Sequence, residues 1–365
     1  MSIASRNGAA LDPVAVEAET REHRVVHHFG PDPAYVGGMG SVMRVLAEHR
    51  MGGDAIEVHP TWRPDSSLAS LPLALRAAPS VRHIGRSDVA HVHLAEDGSF
   101  VREGALVVLA RSLKKTTVVT VHGGDFVPFS YKHPRLASLV LRCAHLIICL
   151  NSGVLDRARQ VAPQTRVELL PNPVAVPEDS PGADETEELV LFAGRIGVRK
   201  GVDVLWRAWR LVAESCPRAR CIMVGPAYDY TVAPTPRLEV RSSVNADGMK
   251  DLLRSARVVA LPSYSEGMPM VLLEAMSHGR PFVATPVGGI PELADAGGVL
   301  VPVGDEVALA ECLIEMLSDR ALARSIGERG RQFCRATRSV ELIDARLNDL
   351  YSAASQARST GVHLW

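Results

Sequence analysis

The 365-residue chain lacks several features that would each have fixed a class. No apolar run reaches the roughly 18 residues of a spanning helix. The first 23 residues carry no apolar stretch of signal-peptide type, so a short arm and a cytoplasmic location are the default expectations. Charge of one sign is missing too: 40 Lys and Arg balance 41 Asp and Glu for a net charge of −1, which removes bulk attraction to nucleic acid. The six cysteines (Cys143, Cys149, Cys216, Cys221, Cys312 and Cys334) form no C-x-x-C pair and no zinc-type spacing, and their apolar surroundings predict buried reduced thiols. There is no Asp-x-Asp pair to carry a divalent ion, and no internal repeat. A dinucleotide fingerprint is also missing. Gly37-Gly38-Met39-Gly40 has Met43 where the third glycine of G-x-G-x-x-G belongs.

What is present is a two-domain α/β rhythm. Hydrophobic residues make up 47% of the chain and charged ones 22%, and the length suffices for two cores. Short apolar strands alternate with amphipathic helices over 24–170. The pattern breaks over 174–188, with prolines and acids, and resumes from 189. Such alternation predicts parallel sheets covered by helices on both faces. The expected division is an arm (1–23), a first Rossmann-like domain (24–176), a linker (177–188), a second Rossmann-like domain (189–339) and a terminal helix with tail (340–365). His91 and His93 share one face of an apolar strand, but no third ligand is evident nearby, and a polar strand edge is the expectation; no metal site is predicted.

The most informative stretch is 262–276. It reads as the exit of a buried strand, a polar loop, and a helix that Gly279 can stop. Glu266 lies in the loop and Glu274 roughly 6 Å inside the helix. The unpaired N–H groups of the helix start, expected near Gly267 and Met268, favour a phosphate. One ligand with sugar hydroxyls, a diphosphate and a ribose would suit that order. Arg195 and Lys200 sit in the loop leaving the strand 189–194, where two cations beside a helix start suit a diphosphate. Gly37 and Gly38 open the first helix after the first strand, and His122 ends the strand 117–121.

These segments resemble the retaining nucleotide-sugar glycosyltransferases of the GT-B fold, glycosyltransferase family 4. Glu266 to Glu274 has the spacing of that family's Glu-x7-Glu signature. The run 192–201 resembles its F-x-G-R-x-x-x-x-K-G segment, and Val224-Gly225-Pro226 its V-G-x strand end. Leu170-Pro171-Asn172-Pro173-Val174 resembles its interdomain P-N-G-V, and 285–292 its T-x-x-G-G-x-P-E run. The first half matches more loosely, through the glycines at 37–40 and Val121-His122-Gly123-Gly124-Asp125. The resemblance implies two doubly wound domains facing across a cleft. It places Glu266 on the donor sugar, backbone of Gly267, Met268, Pro269, Met270 and Val271 on sugar and diphosphate, and Glu274 on the ribose. Arg195 and Lys200 would hold the leaving diphosphate, Gly38 would approach it, and His122 would reach the sugar. Gly37, Asp125, Asn172 and Gly225 are further candidates, with Asn172 either near the sugar or ordering the domain crossover.

The activity so implied is transfer of a hexose-type sugar from a nucleotide diphosphate sugar to an acceptor hydroxyl with retention, without cofactor or metal. UDP-sugars and GDP-mannose both fit, because 240–244 departs from the family's base-selecting pattern. The acceptor class expected first is a lipid-linked oligosaccharide of bacterial surface polysaccharide or glycolipid assembly, with peripheral membrane contact through scattered Lys and Arg. A small metabolite such as an aminocyclitol or antibiotic core is the alternative. A non-catalytic sugar-nucleotide-binding protein is a third reading. It would keep the donor motifs and lose the acceptor cleft.

Overall fold

The computed structural model describes residues 24–34, 37–53, 55–62 and 67–359. The expected arm (1–23) and the tail after 359 lie outside the described residues. Twelve strands among these residues form two six-stranded sheets, and every strand pair is parallel. The first sheet comprises β1 (Val25–Pro31), β2 (Ala55–Trp62), β3 (Val89–Leu94), β4 (Thr116–Val121), β5 (Leu146–Cys149) and β6 (Arg166–Leu169), in the order β2-β1-β3-β4-β5-β6. The second comprises β7 (Leu189–Ala193), β8 (Arg220–Val224), β9 (Leu238–Arg241), β10 (Val258–Leu261), β11 (Phe282–Ala284) and β12 (Gly298–Leu300), in the order β12-β11-β10-β7-β8-β9.

The strand sequences explain the arrangement. β3, β4, β5, β7 and β10 are buried along their whole length. Strands covered on both faces by helices carry near-continuous apolar runs rather than alternation. Each sheet also reverses its winding direction once, between β1 and β3 in the first and between β7 and β10 in the second. At such switch points the flanking loops diverge at the carboxyl ends of the strands and leave a crevice where ligands bind. The loops after β7 and β10 are those that carry Arg195, Lys200 and Glu266.

The terminal helix Val340–Ser359 returns to the first sheet. Tyr351 is fully buried and its hydroxyl lies 2.6 Å from His91 Nδ1. Asp344 accepts a hydrogen bond from the Gly52 N–H, and the Arg24 guanidinium donates to Ser352 Oγ at 2.8 Å. Leu347, Leu350 and Tyr351 join the core under β1 to that of the second domain. The segment 177–188 is held against the second domain rather than hanging free. The guanidinium of fully buried Arg280 donates to the carbonyls of Ala256 and Gly182 and to Ser180 Oγ, and Arg331 donates to the carbonyls of Pro177, Glu178 and Ser180.

Three features differ from the sequence reading. The stretch between β2 and β3 holds helices Ser67–Ala77 and Ser80–His83, which Pro72 and Pro79 conceal from a periodicity argument. A short helix, Phe126–Lys132, follows β4. The helix after β10 begins at Met270 and not near Gly267, because a residue before proline is driven out of the helical region. Pro269 is its extended N-cap.

Candidate active site

At the switch point of the second sheet the two loops meet through charge. Lys200 Nζ donates to Glu266 Oε1 at 2.6 Å, and Ser263 Oγ donates to the same oxygen at 2.7 Å. Glu266 is only 6% exposed, so its carboxylate is held by partners rather than by water. Thr285 Oγ1 in turn donates to the Ser263 carbonyl, fixing the loop from below. Arg195 is exposed, and its guanidinium lies 4.9 Å from the ring centroid of exposed Tyr228. The φ of Gly225 is +152°, and a Cβ there would fall 1.8 Å from the Gly194 carbonyl oxygen. Gly225 therefore serves close packing of the β7 and β8 ends, a backbone role that any bulkier residue would break.

The first domain presses against this loop. A Cβ on Gly124 would lie 2.5 Å from the Glu266 carbonyl carbon, and one on Gly267 would lie 2.5 Å from the His122 carbonyl oxygen. Only glycine at both places allows the two backbones to come so close. Ser265 Oγ donates to Asp125 Oδ1 at 2.6 Å, and Arg199 Nη2 lies 3.0 Å from Asp125 Oδ2 and 3.7 Å from Glu96 Oε1. Glu96 follows β3, and its Oε2 is buried with no hydrogen-bond partner among the described residues. Burial pushes its pKa up, against its own backbone hydrogen bond and Arg199.

Glu274 is half-buried on the helix Met270–Ser277, facing the helix Gly38–Glu48 of the first domain. Burial raises its pKa, while Arg44 and a hydrogen bond from Ser41 work the other way. Both helices begin without a side-chain cap, whereas those at 152, 246, 306 and 320 are capped by Asn151, Asn245, Asp305 and Asp319. The first N–H groups of the cleft helices thus stay available. Gly37, in extended conformation, precedes exposed Gly38, in front of which a Cβ would meet nothing within 4 Å. The side chains of Met268 and Met270 are buried in the core, as is Pro269, and Val271 is half-buried. From Met268 to Met270, only backbone can face a ligand. Asn172 is buried just after β6, at the crossover where the Val174 N–H donates to the Arg338 carbonyl.

His122 belongs to a group that sequence alone did not bring together. His28 on β1 is the register partner of His91 on β3, so His28, His91 and His93 share one face. His28 supplies the third imidazole that the sequence reading found missing. The three bring one nitrogen each within 4.8 Å of one another, and His27, Glu57 and His59 form a second such group. His28 Nδ1 lies 2.9 Å from His93 Nε2, and His93 Nδ1 lies 2.8 Å from His122 Nε2. His91 is engaged separately by Tyr351 and, at 2.7 Å, by Thr120 Oγ1. Burial holds His28 and His122 at about 3 and lowers His91 and His93 well below the ordinary value. All four are neutral at pH 7.

Glu96, Ser263, Ser265, Ser41, Arg44 and the His28–His93 pair were not read as site residues from the sequence. The signal for most of them is position alone: loops at the carboxyl ends of strands beside a winding reversal.

A profile described as "Glycosyl transferases group 1" matches residues 187–319. An N-acetyl-alpha-D-glucosaminyl L-malate synthase of Bacillus anthracis is 26% identical over 67% of this chain and 69% of its own length. A D-inositol 3-phosphate glycosyltransferase of Xylanimonas cellulosilytica is 30% identical over 58% of this chain, and the match spans 55% of that relative. Among solved structures, a sucrose-phosphate synthase from Thermosynechococcus elongatus superposes with a TM-score of 0.74 at 20% identity, over 92% of this chain and 100% of that one. Anabaena HepE in complex with UDP-glucose gives a TM-score of 0.70 at 16% identity, over 90% and 99%. Two parallel six-stranded sheets facing across a cleft and these superpositions give the chain the GT-B fold, and its residues 187–319 match the glycosyl transferases group 1 family.

Proposed function

We propose that this glycosyltransferase moves a hexose-type sugar from a UDP-sugar to a hydroxyl of a small, polar acceptor, with retention of anomeric configuration. The observation that carries the reading is the Lys200–Glu266 pair at the β7/β10 switch point, with the Glu266 backbone pressed against Gly124 of the facing domain. In this reading Glu266 accepts from sugar hydroxyls, and Lys200 with Arg195 balances the charge that grows on a departing diphosphate. Preorganised cations aimed at developing charge are the largest single contribution such a site can make. The uncapped helix at Met270 adds N–H groups to the same task. Glu274 suits the ribose.

In a retaining reaction on one face of the sugar, the bond from anomeric carbon to phosphate oxygen breaks, the acceptor oxygen bonds to that carbon, and the departing phosphate oxygen takes the acceptor proton. No side-chain base is needed, and with two cations on the diphosphate no metal is needed either. The UDP preference draws on the UDP-glucose bound by Anabaena HepE, and the small acceptor on the L-malate and D-inositol 3-phosphate in the relatives' names. Hydrolysis of a panel of nucleotide sugars by purified protein tests the donor. Transfer from the accepted donor to malate, inositol phosphates, aminocyclitols or a lipid-linked glycan tests the acceptor. Hydrolysis of GDP-mannose alone would overturn the donor, and transfer only to the lipid-linked glycan the acceptor class.

A further inference from the structure

The histidines behind His122 form a chain with one open end. In each link the separation of ring centroids, 5.2 Å for His28–His93 and 5.0 Å for His93–His122, is close to the nitrogen separation plus two ring radii. Both links therefore run head to tail in line, the geometry of good hydrogen bonds. Three neutral imidazoles carry three ring N–H groups. The two links use two of them. The third sits either on His28 Nε2 or on His122 Nδ1.

These two ends differ. His28 is fully buried, and its Nε2 has no hydrogen-bond partner among the described residues. His122 is partly exposed beside Gly267. A buried donor without an acceptor is among the costliest defects a protein can hold, and an unused lone pair is tolerated better. The third proton is thereby driven to the open end. We infer that His28 and His93 are positioning residues that hold His122 as its Nδ1–H tautomer, so that it offers the cleft a hydrogen-bond donor and not a base. Under the sugar transfer proposed for this cleft, on which the identity of the partner rests, the group His122 meets is a sugar hydroxyl or phosphate oxygen acting as acceptor. His122 cannot then deprotonate the acceptor hydroxyl through Nδ1. A metal ion at His28, His91 and His93 would have to displace the in-line link from His28 to His93 and turn His91 away from a hydroxyl partner.

Long-range proton–nitrogen NMR of the full chain labelled with ¹⁵N-histidine tests this at pH 7.5, with His122→Phe assigning the resonance. The expected wild-type spectrum shows a protonated, pyrrole-like Nδ1 and an unprotonated Nε2 on His122. Free neutral histidine prefers the opposite tautomer. His93→Leu removes the donor to Nε2 and should return His122 to the Nε2–H form. His93→Asn, whose amide can donate from the Nδ1 position, should keep it. An Nε2–H His122 in the wild type overturns the inference, as do a tautomer unmoved by His93→Leu and metal-bound nitrogens with stoichiometric co-purified metal. The wild-type spectrum decides even if the variants do not fold, and none of these readouts depends on sugar transfer.

Discussion

The two walls of the cleft solve the same problem with opposite means. The second-domain wall lines the cleft with charge: Lys200 bound to Glu266, Arg195 over Tyr228, and Glu274 on an uncapped helix. The first-domain wall brings Asp125 and Glu96 to Arg199, but its contact with Glu266 and Gly267 is of another kind. It presents glycines and a partly exposed histidine backed by a buried neutral chain. The charged wall sits on loops, where carboxylates and cations can be written directly into sequence. On the neutral wall, chemistry is set by burial and by which strands lie side by side. A charged group deep in the first sheet would face a desolvation penalty that histidine escapes by staying neutral.

The sharpest way to break this contrast is within the charged wall. Arg195→Ala and Lys200→Ala should each lower kcat/KM by on the order of a hundredfold, the loss typical of one oxyanion donor. Their stabilities should differ. Arg195 is exposed and its loss should leave the melting temperature unmoved. Lys200→Ala strips the partner from a buried carboxylate and should destabilise by about 3 kcal/mol, the lower end for a broken buried pair. Restoration of stability in Lys200→Ala/Glu266→Gln would show that the stranded charge was the cause. Equal melting temperatures for the two single variants would mean that the pair is not held in solution.

Next in size is the division of labour between the two carboxylates. Losing a charged hydrogen bond costs about 1.5–3 kcal/mol. Glu274→Gln should show that loss for free UDP and for the intact donor alike. Glu266→Gln should show it mainly when the sugar is present. Calorimetric titration with UDP and with a non-hydrolysable donor separates them. Equal weakening of UDP by both variants would contradict a split between ribose and sugar recognition.

The neutral wall has its own signature in acid. Burial holds His28 at about 3 against an ordinary 6.5, so below about pH 6.5 the unfolded chain takes up a proton that the folded chain refuses. Stability contributed by a neutral buried histidine is complete above that pH, erodes as pH falls towards 3, and then stops changing. The slope approaches about 1.4 kcal/mol per pH unit for each such histidine. Urea midpoints at pH 7.5 and 5.5 measure it, and His28→Leu should flatten the difference. An unchanged slope in that variant would remove His28 as its source.

The smallest expected effect is that of a chelator. On the proposed reading, in which Arg195 and Lys200 hold the diphosphate, EDTA should leave transfer largely intact, and modest stimulation by magnesium is compatible through faster product release. Abolition by EDTA and recovery with a divalent ion would break the idea that the charged wall does a metal's work.

Much of the charged wall was legible in the sequence because its parts are local. The spacing from Glu266 to Glu274 and the run from Arg195 to Lys200 each lie within one loop and the helix it enters. The alternation of strands and helices likewise foretold two parallel sheets, since burial on both faces leaves an apolar imprint on each strand. What stayed hidden was long-range. Lys200 and Glu266 are 66 residues apart and were expected to serve different parts of the ligand, yet they pair with each other. Arg199, Asp125 and Ser265 join across the cleft. His91-x-His93 looked like a strand edge until β1 settled beside β3 and brought His28 into register with His91. Sequence by itself determined the elements, their periodicity and the loops that carry charge, because these follow from local backbone preference and from which side chains leave water. Strand order, domain approach and the company kept by each buried polar atom were decided only by tertiary structure. Those depend on neighbours that no local pattern names.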